Sequence, residues 1–197
     1  MLKVGITGGI GSGKTTVCKI FESLNIPIYY ADDRAKSLMV NDMKLVKDIK
    51  QLLGENAYLK NGSLNREYIS AIVFSDKTML EKLNQLVHPA VRLDGENWFK
   101  SQVNKPYALK EAALHFESGG YQLMDKMITV FASEAIRIER VMKRDKTTAE
   151  AVKARIDKQL PDSEKIRLAD FVIYNDGTQS LIKQVVKVHQ VLVDLSR

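Results

Sequence analysis

Short apolar runs alternate along this chain with longer stretches in which apolar residues recur every three or four positions. Residues 2–7 (Leu-Lys-Val-Gly-Ile-Thr) read as a strand, and 13–24 as a helix with Val17, Ile20, Phe21 and Leu24 on one face. Asn25 can end that helix and Pro27 cannot extend it. Ile28-Tyr29-Tyr30 is a second short strand, running out at Asp32-Asp33. From about 33 to 102 the pattern is almost wholly helical, broken only at Gly54, around Asn61-Gly62 and near Pro89, and it reads as a helical insertion. Strand character resumes at Tyr107–Ala113 and is clearer at Met127–Ala132. Helices are predicted over 134–145 and 147–160, the second with Thr148 as N-cap and Glu150 in its first turn. Phe171–Tyr174 is the last strand, Asn175-Asp176-Gly177 a turn, and 179–195 a closing helix with Leu181, Val185, Val188 and Leu192 inward. Strands alternating with helices predict a parallel five-stranded sheet flanked by helices.

The junction of the first strand and first helix carries the chemistry. Residues 8–15, Gly-Gly-Ile-Gly-Ser-Gly-Lys-Thr, fit G-x-x-x-x-G-K-[ST], the phosphate-binding loop. Glycines let the backbone turn its N–H groups around phosphates, and the following helix aims its positive end at the same anion. Lys14 reaches the β- and γ-phosphates, and the Thr15 hydroxyl is a ligand for Mg²⁺. The dinucleotide fingerprint fails in register: with glycines at 9 and 11 it needs a third at 14, where Lys14 stands.

Composition narrows the rest. The 197 residues suit one domain with inserted parts, at 45% hydrophobic and 27% charged. No apolar run is long enough to span a membrane, and Val4–Ile6 is too short for a secretory leader. The single cysteine, Cys18, allows no intramolecular disulfide, suits a reducing cytoplasm and reads as a small buried residue. The net charge of +6 is dispersed rather than gathered in a nucleic-acid module, so it favours small polyanions as ligands. His88, His115 and His189 are far apart, and no metal-ligand cluster is visible.

Further candidates follow from position. Asp32, just past the second strand, is placed to take a proton from an attacking hydroxyl, with Asp33 a helix cap or exposed. Glu111 sits in the third strand, either orienting Mg²⁺ and its waters or standing as a surface or strand-end charge. Arg137, Arg140 and Arg144 share one helical face, with Arg155 and Lys158 on the next helix. They form either a solvated face paired with Glu134 and Glu139, or a lid bringing arginine to a transferring phosphoryl group. His88 is either structural or functional.

Taken together, these residues resemble the dephospho-CoA kinase family almost end to end. The resemblance rests on Thr7-Gly8-Gly9-Ile10-Gly11-Ser12-Gly13-Lys14, Ala31-Asp32, Gly62-x-Leu64-x-Arg66, Val73-Phe74-Ser75 and Leu86-Val87-His88-Pro89. It continues through Arg140-x-x-x-Arg144-Asp145, Ala154-Arg155-Ile156-x-x-Gln159-x-Pro161 and Ala169-Asp170-x-Val172-Ile173-x-Asn175-x-Gly177. It implies a P-loop kinase fold with a nucleotide-binding core (1–32, 106–135 and 161–197), a helical acceptor-binding insertion (33–105) and a helical lid (136–160). The implied reaction moves the γ-phosphate of ATP, with Mg²⁺, to the ribose 3′-hydroxyl of dephospho-CoA in the cytoplasm. Asp32, Lys14 and Arg140 would be catalytic. Gly9, Ile10, Gly11, Ser12, Gly13, Lys14, Thr15, Thr16, Arg144, Asn175 and Gly177 would bind ATP, the last two near adenine. Asp32, Arg66, His88 and Glu111 would face the acceptor. A monomer or small homo-oligomer is expected, with no nucleic acid or membrane partner. Two departures stand out: Tyr30 replaces the first acid of the family's Asp-Ala-Asp, and Ala113-Leu114-His115-Phe116-Glu117 replaces Pro-Leu-Leu-Phe-Glu. Competing readings are a kinase for a nucleoside monophosphate or sugar, a regulatory ATP-hydrolysing switch, and a nucleic-acid-dependent ATPase.

Overall fold

A computed structural model describes all residues, Met1–Arg197. The chain divides into two compact units, Met1–Tyr29 with Ser101–Arg197, and Tyr30–Lys100. The first is built on a five-stranded sheet in the order β2-β3-β1-β4-β5, with β1 Leu2–Thr7, β2 Ile28–Tyr30, β3 Tyr107–Glu111, β4 Lys126–Phe131 and β5 Phe171–Tyr174. β1 runs parallel to both neighbours, Ile6 standing opposite Glu111 on one side and Ile128 on the other. Val4, Ile6, Leu109, Ile128 and Ile173 are fully buried, as apolar runs in a sheet covered on both faces must be. Helix α1 (Lys14–Ser23) buries Val17, Cys18 and Phe21, and α9 (Leu181–Leu195) packs on it through Val185, Val188 and Leu192. Leu181 stays half-buried, and Ser180 caps α9 by accepting the Lys183 N–H.

The second unit is helical: α2 (Ala31–Asn41), α3 (Met43–Leu53), α4 (Arg66–Ser75) and most of α5 (Lys77–Ser101). Gly54 ends α3 at φ 89°, and the Asn61-Gly62 turn closes a small bridge between Tyr58 and Leu64. The expected break at Pro89 does not occur, because α5 runs through it for 25 residues. Proline removes one N–H and leaves the carbonyl four residues earlier without its helical donor. Here that residue is Gln85, exposed like Pro89, so water can satisfy the carbonyl. The buried face meanwhile keeps its period through Leu83, Val87, Val91, Gly95 and Phe99.

Boundaries differ elsewhere too. The helix expected over 147–160 is shorter, α7 at Ala149–Ile156, although Thr148 caps it as predicted by accepting the Ala151 N–H. A further helix, α8 (Asp162–Leu168), follows Pro161 and packs on β4. It escapes the periodicity because it is only seven residues long and its one buried side chain is a lysine. That residue, Lys165, is fully enclosed, with its ammonium 3.2 Å from the Glu117 carboxylate. The same Glu117 oxygen accepts the Leu160 N–H at 2.8 Å. The fully buried His115, two residues before Glu117, donates from Nε2 to the Lys110 carbonyl at 2.9 Å.

These two polar groups make separate predictions. Glu117→Gln leaves the Lys165 charge buried without its counter-ion and should cost about 3–5 kcal/mol of stability in a urea titration. Burial pushes the His115 imidazole down to about 4, outweighing the Lys110 carbonyl, with Lys110 lowering it further and Glu117 raising it. The unfolded chain therefore binds the proton first as pH falls. The neutral side chain's contribution is complete above about pH 6.5 and is lost as pH falls toward 4, to the order of 3 kcal/mol. His115→Leu should accordingly lose less stability than wild type between pH 7 and pH 4.5; equal losses would contradict this.

Candidate active site

The loop between β1 and α1 is shaped by its glycines. Gly13 is the N-cap of α1 at φ 93°, and a Cβ there would collide with the Asn175 amide. Gly11, at φ 80°, brings its Cα so close to helix α6 (Glu134–Asp145) that a Cβ would lie 2.6 Å from the Arg137 carbonyl. Because Gly13 has no side chain to cap α1, and the first turn of α1 holds no acidic residue, the positive end of the helix dipole faces the loop uncompensated. The loop closes on itself through Ser12 N–H to Gly9 O at 3.1 Å and Thr16 N–H to Gly13 O at 3.0 Å. Lys14 Nζ donates to the Gly8 carbonyl at 2.9 Å, which curls the ammonium over the loop. The Ser12 hydroxyl is buried beside Gly8 with no hydrogen-bond partner. Thr15 and Thr16 are exposed on the first turn of α1.

Distant segments of the first unit meet this loop. Asn175, placed by its own N–H to the Phe131 carbonyl at 2.7 Å, donates from its side chain to the Ser12 carbonyl at 2.8 Å. Gly177, in the next turn, has φ 87° and open space around it. Glu111 ends β3 and is 8% exposed, so it is no surface charge. Its carboxylate is the second cause, after burial, that pushes the Cys18 thiol well above its usual range. Cys18 is therefore an inert buried thiol, as its position implied.

The three arginines of helix α6 (Glu134–Asp145) have three different environments. Arg137 is 3% exposed and pairs with Asp162 at 2.6 Å. Arg144 faces solvent and pairs with Asp145 at 2.7 Å, and Asp145 also takes Arg155 at 3.1 Å. Arg140 is half-buried, and its Nη1 is buried with no hydrogen-bond partner, 3.9 Å from where a Gly13 Cβ would stand. The expected partners Glu134 and Glu139 take no part in these pairs; Asp162 and Asp145 do so instead. Helical spacing puts the three on one side of α6, but only tertiary contacts decide which charge is already compensated. Of the three, Arg140 lies beside the loop without an ion pair, whereas Arg144 is tied to Asp145.

Residues of the second unit stand as follows. Asp32 and Asp33 are exposed in the first turn of α2, where their charge favours the helix dipole. Of the two alternatives for Asp33, exposure rather than capping holds; Tyr30 is the N-cap, no side chain caps the helix, and Asp33 pairs with Lys36 at 2.8 Å. Arg66 opens α4 and His88 lies on α5, both exposed.

Metal chemistry rests on few protein ligands. No three His, Cys, Asp or Glu side chains gather to hold an ion. Mg²⁺ keeps several waters and is held largely by substrate phosphates, so a hydroxyl such as that of Thr15 fits it without an all-protein cage.

Reasoning from sequence missed Asp162 and Lys165, and gave no role to Gln159 or Glu117. Gln159 accepts the Ile10 N–H at 2.8 Å, and Arg137 Nη1 reaches the Ile10 carbonyl at 3.4 Å. The Gln159-x-Pro161 spacing was the only signal, and it names no partner.

Comparison with known proteins agrees with this geometry. A family model described as dephospho-CoA kinase matches residues 2–180. The dephospho-CoA kinase of Chlorobaculum tepidum is 39% identical over 199 aligned residues, covering 98% of this chain and 95% of the relative. A solved structure of dephospho-CoA kinase from Campylobacter jejuni superposes with a TM-score of 0.73 at 28% identity, covering 99% of this chain and 98% of that one. Shikimate kinase from Bacteroides thetaiotaomicron, at 12% identity and a TM-score of 0.51 with 98% of each chain covered, shares the fold alone. A phosphate loop on the central strand of a five-stranded sheet, met by Asn175 and Arg140 and matched along most of the chain, places this protein in the dephospho-CoA kinase family.

Proposed function

We propose that this chain uses Lys14, Arg140 and Asp32 to carry out the reaction of its family, ATP-dependent phosphorylation of the ribose 3′-hydroxyl of dephospho-CoA. The observation that carries the assignment is the charge arrangement at the phosphate loop. Lys14 lies over the Gly8 carbonyl, and the Arg140 guanidinium presents an uncompensated N–H beside Gly13. Phosphoryl transfer needs positioning and charge stabilisation more than covalent chemistry. Backbone N–H groups of Gly11, Gly13, Lys14 and Thr15 cradle the triphosphate, and Lys14 exchanges the Gly8 carbonyl for the β- and γ-oxygens. Arg140 neutralises charge on the group in transfer. Arg144 and Gly177 line the nucleotide side, Arg144 by exchanging Asp145 for an anion.

Asp32 accepts the proton of the attacking hydroxyl. Its exposure at the start of α2 supports this, since a base must be open to its substrate. Arg66 and His88, exposed in the same unit, bind the acceptor's anionic groups, and the helical segment 33–105 is the acceptor-binding part. Segment 136–160 acts as the lid, and Glu111 orients the acceptor side from the end of β3. Mg²⁺, when bound with ATP at Thr15, screens the phosphate charge. No helix is long and apolar enough to cross a membrane. We place the enzyme in the cytoplasm, as a monomer or small homo-oligomer working on ATP and dephospho-CoA without nucleic acid.

Purified protein with Mg-ATP should release ADP only when dephospho-CoA is present, and mass spectrometry should find one added phosphate on the ribose. Release that ignores dephospho-CoA, with no new product, would reject the acceptor. Asp32→Asn should lower kcat by about 10²- to 10⁴-fold while leaving ATP affinity nearly intact; turnover close to wild type would remove Asp32 as the base.

A further inference from the structure

The backbone of Ile10 is held at both its N–H and its carbonyl by the ends of one helical arm. Arg137, in the first turn of α6, reaches the Ile10 carbonyl at 3.4 Å, and Gln159, just beyond α7, takes the Ile10 N–H at 2.8 Å. Neither residue touches this peptide by sequence proximity, since 127 and 149 positions separate them from it. Both ends are themselves anchored. Asp162 holds the Arg137 guanidinium at 2.6 Å, and Glu117 holds the Leu160 N–H, next to Gln159, at 2.8 Å.

Arg137, Gln159 and Asp162 also border a cavity of about 350 Å³ between the ends of the arm. Packing on that side is therefore incomplete, and the orientation of the Gln159 amide depends on its hydrogen bond. Gly11 and Gly13, with positive φ, follow Ile10 and give the loop backbone freedom that only other contacts can restrict.

We propose that Gln159 is a positioning residue for the phosphate loop. By occupying the Ile10 N–H it keeps that donor out of the phosphate cradle and fixes the peptide from which Gly11–Lys14 turn inward. The arm and the loop thus move as one element, and nucleotide phosphates meet a backbone already in its binding shape. Once the triphosphate is bound it holds the loop itself, so the effect falls on affinity rather than on the chemical step.

The test compares AMP, ADP and ATP binding by calorimetry in Gln159→Met, which keeps the side chain's length and removes the acceptor. Gln159 is half-buried, so the change opens no core. ADP and ATP should weaken about tenfold, the size expected for one lost backbone hydrogen bond. AMP should be unchanged, and kcat at saturating ATP should stay within about twofold. Exchange of the Ile10 amide, followed by NMR, should speed up in Gln159→Met and return toward wild type in Gln159→Glu, which restores an acceptor oxygen. Equal weakening of all three nucleotides, no weakening of any, or unaltered Ile10 exchange would each overturn the proposal. The binding and exchange readouts need no acceptor, so they stand apart from a failure of the assigned reaction.

Discussion

An anion-binding loop must leave several backbone N–H groups turned toward its ligand, and every other polar group in the loop then needs a partner from elsewhere. Several of this molecule's polar contacts answer that constraint. The Gly8 carbonyl takes Lys14, the Ser12 carbonyl takes Asn175, and the Ile10 peptide takes Arg137 and Gln159. Those partners come from α1, the end of β5, α6 and the segment after α7. Parallel strands deliver their carboxyl ends to one edge of the sheet, so the loop after β1 and the turn after β5 meet there.

Charge is distributed by the same logic. Three arginines on one helix would repel one another and an incoming cation. Asp162 and Asp145 compensate the outer two, and the middle one, Arg140, keeps an uncompensated N–H beside Gly13. The Asp176 carboxyl is held below its usual range chiefly by the Thr178 hydroxyl and N–H, with Arg140 a lesser cause. Asp176 is therefore engaged mainly within its own turn rather than consumed as a counter-ion for Arg140.

Much of the architecture was legible because local rules and tertiary demands agree. Leu2–Thr7, Ile28–Tyr30 and Phe171–Tyr174 are strands at their expected positions, and Thr148 caps its helix. Disagreement arose where a local signal was overruled or weak. Pro89 does not break α5, because the carbonyl it leaves without a donor lies on an exposed face and the buried stripe stays in register. Helix α8 was invisible because its inward residue is Lys165, which a hydrophobic pattern counts as surface and only the Glu117 carboxylate makes tolerable inside. Asp33 could be a cap or exposed by its position, and the structure leaves it exposed within the first turn, where its side chain reaches Lys36.

The sequence by itself determined the phosphate loop, the order of strands and helices, and the family. Each of these is written in contiguous residues whose chemistry acts over a few positions: glycines that permit a turn, a lysine one step into a helix, apolar periods of two or 3.6. Tertiary structure alone decided which arginine of α6 is left without an ion pair, which carboxylate makes a buried lysine acceptable, and that Gln159 grips Ile10 from 149 positions away. Those outcomes depend on distances between segments that meet only after the sheet has formed, and no spacing along the chain encodes them.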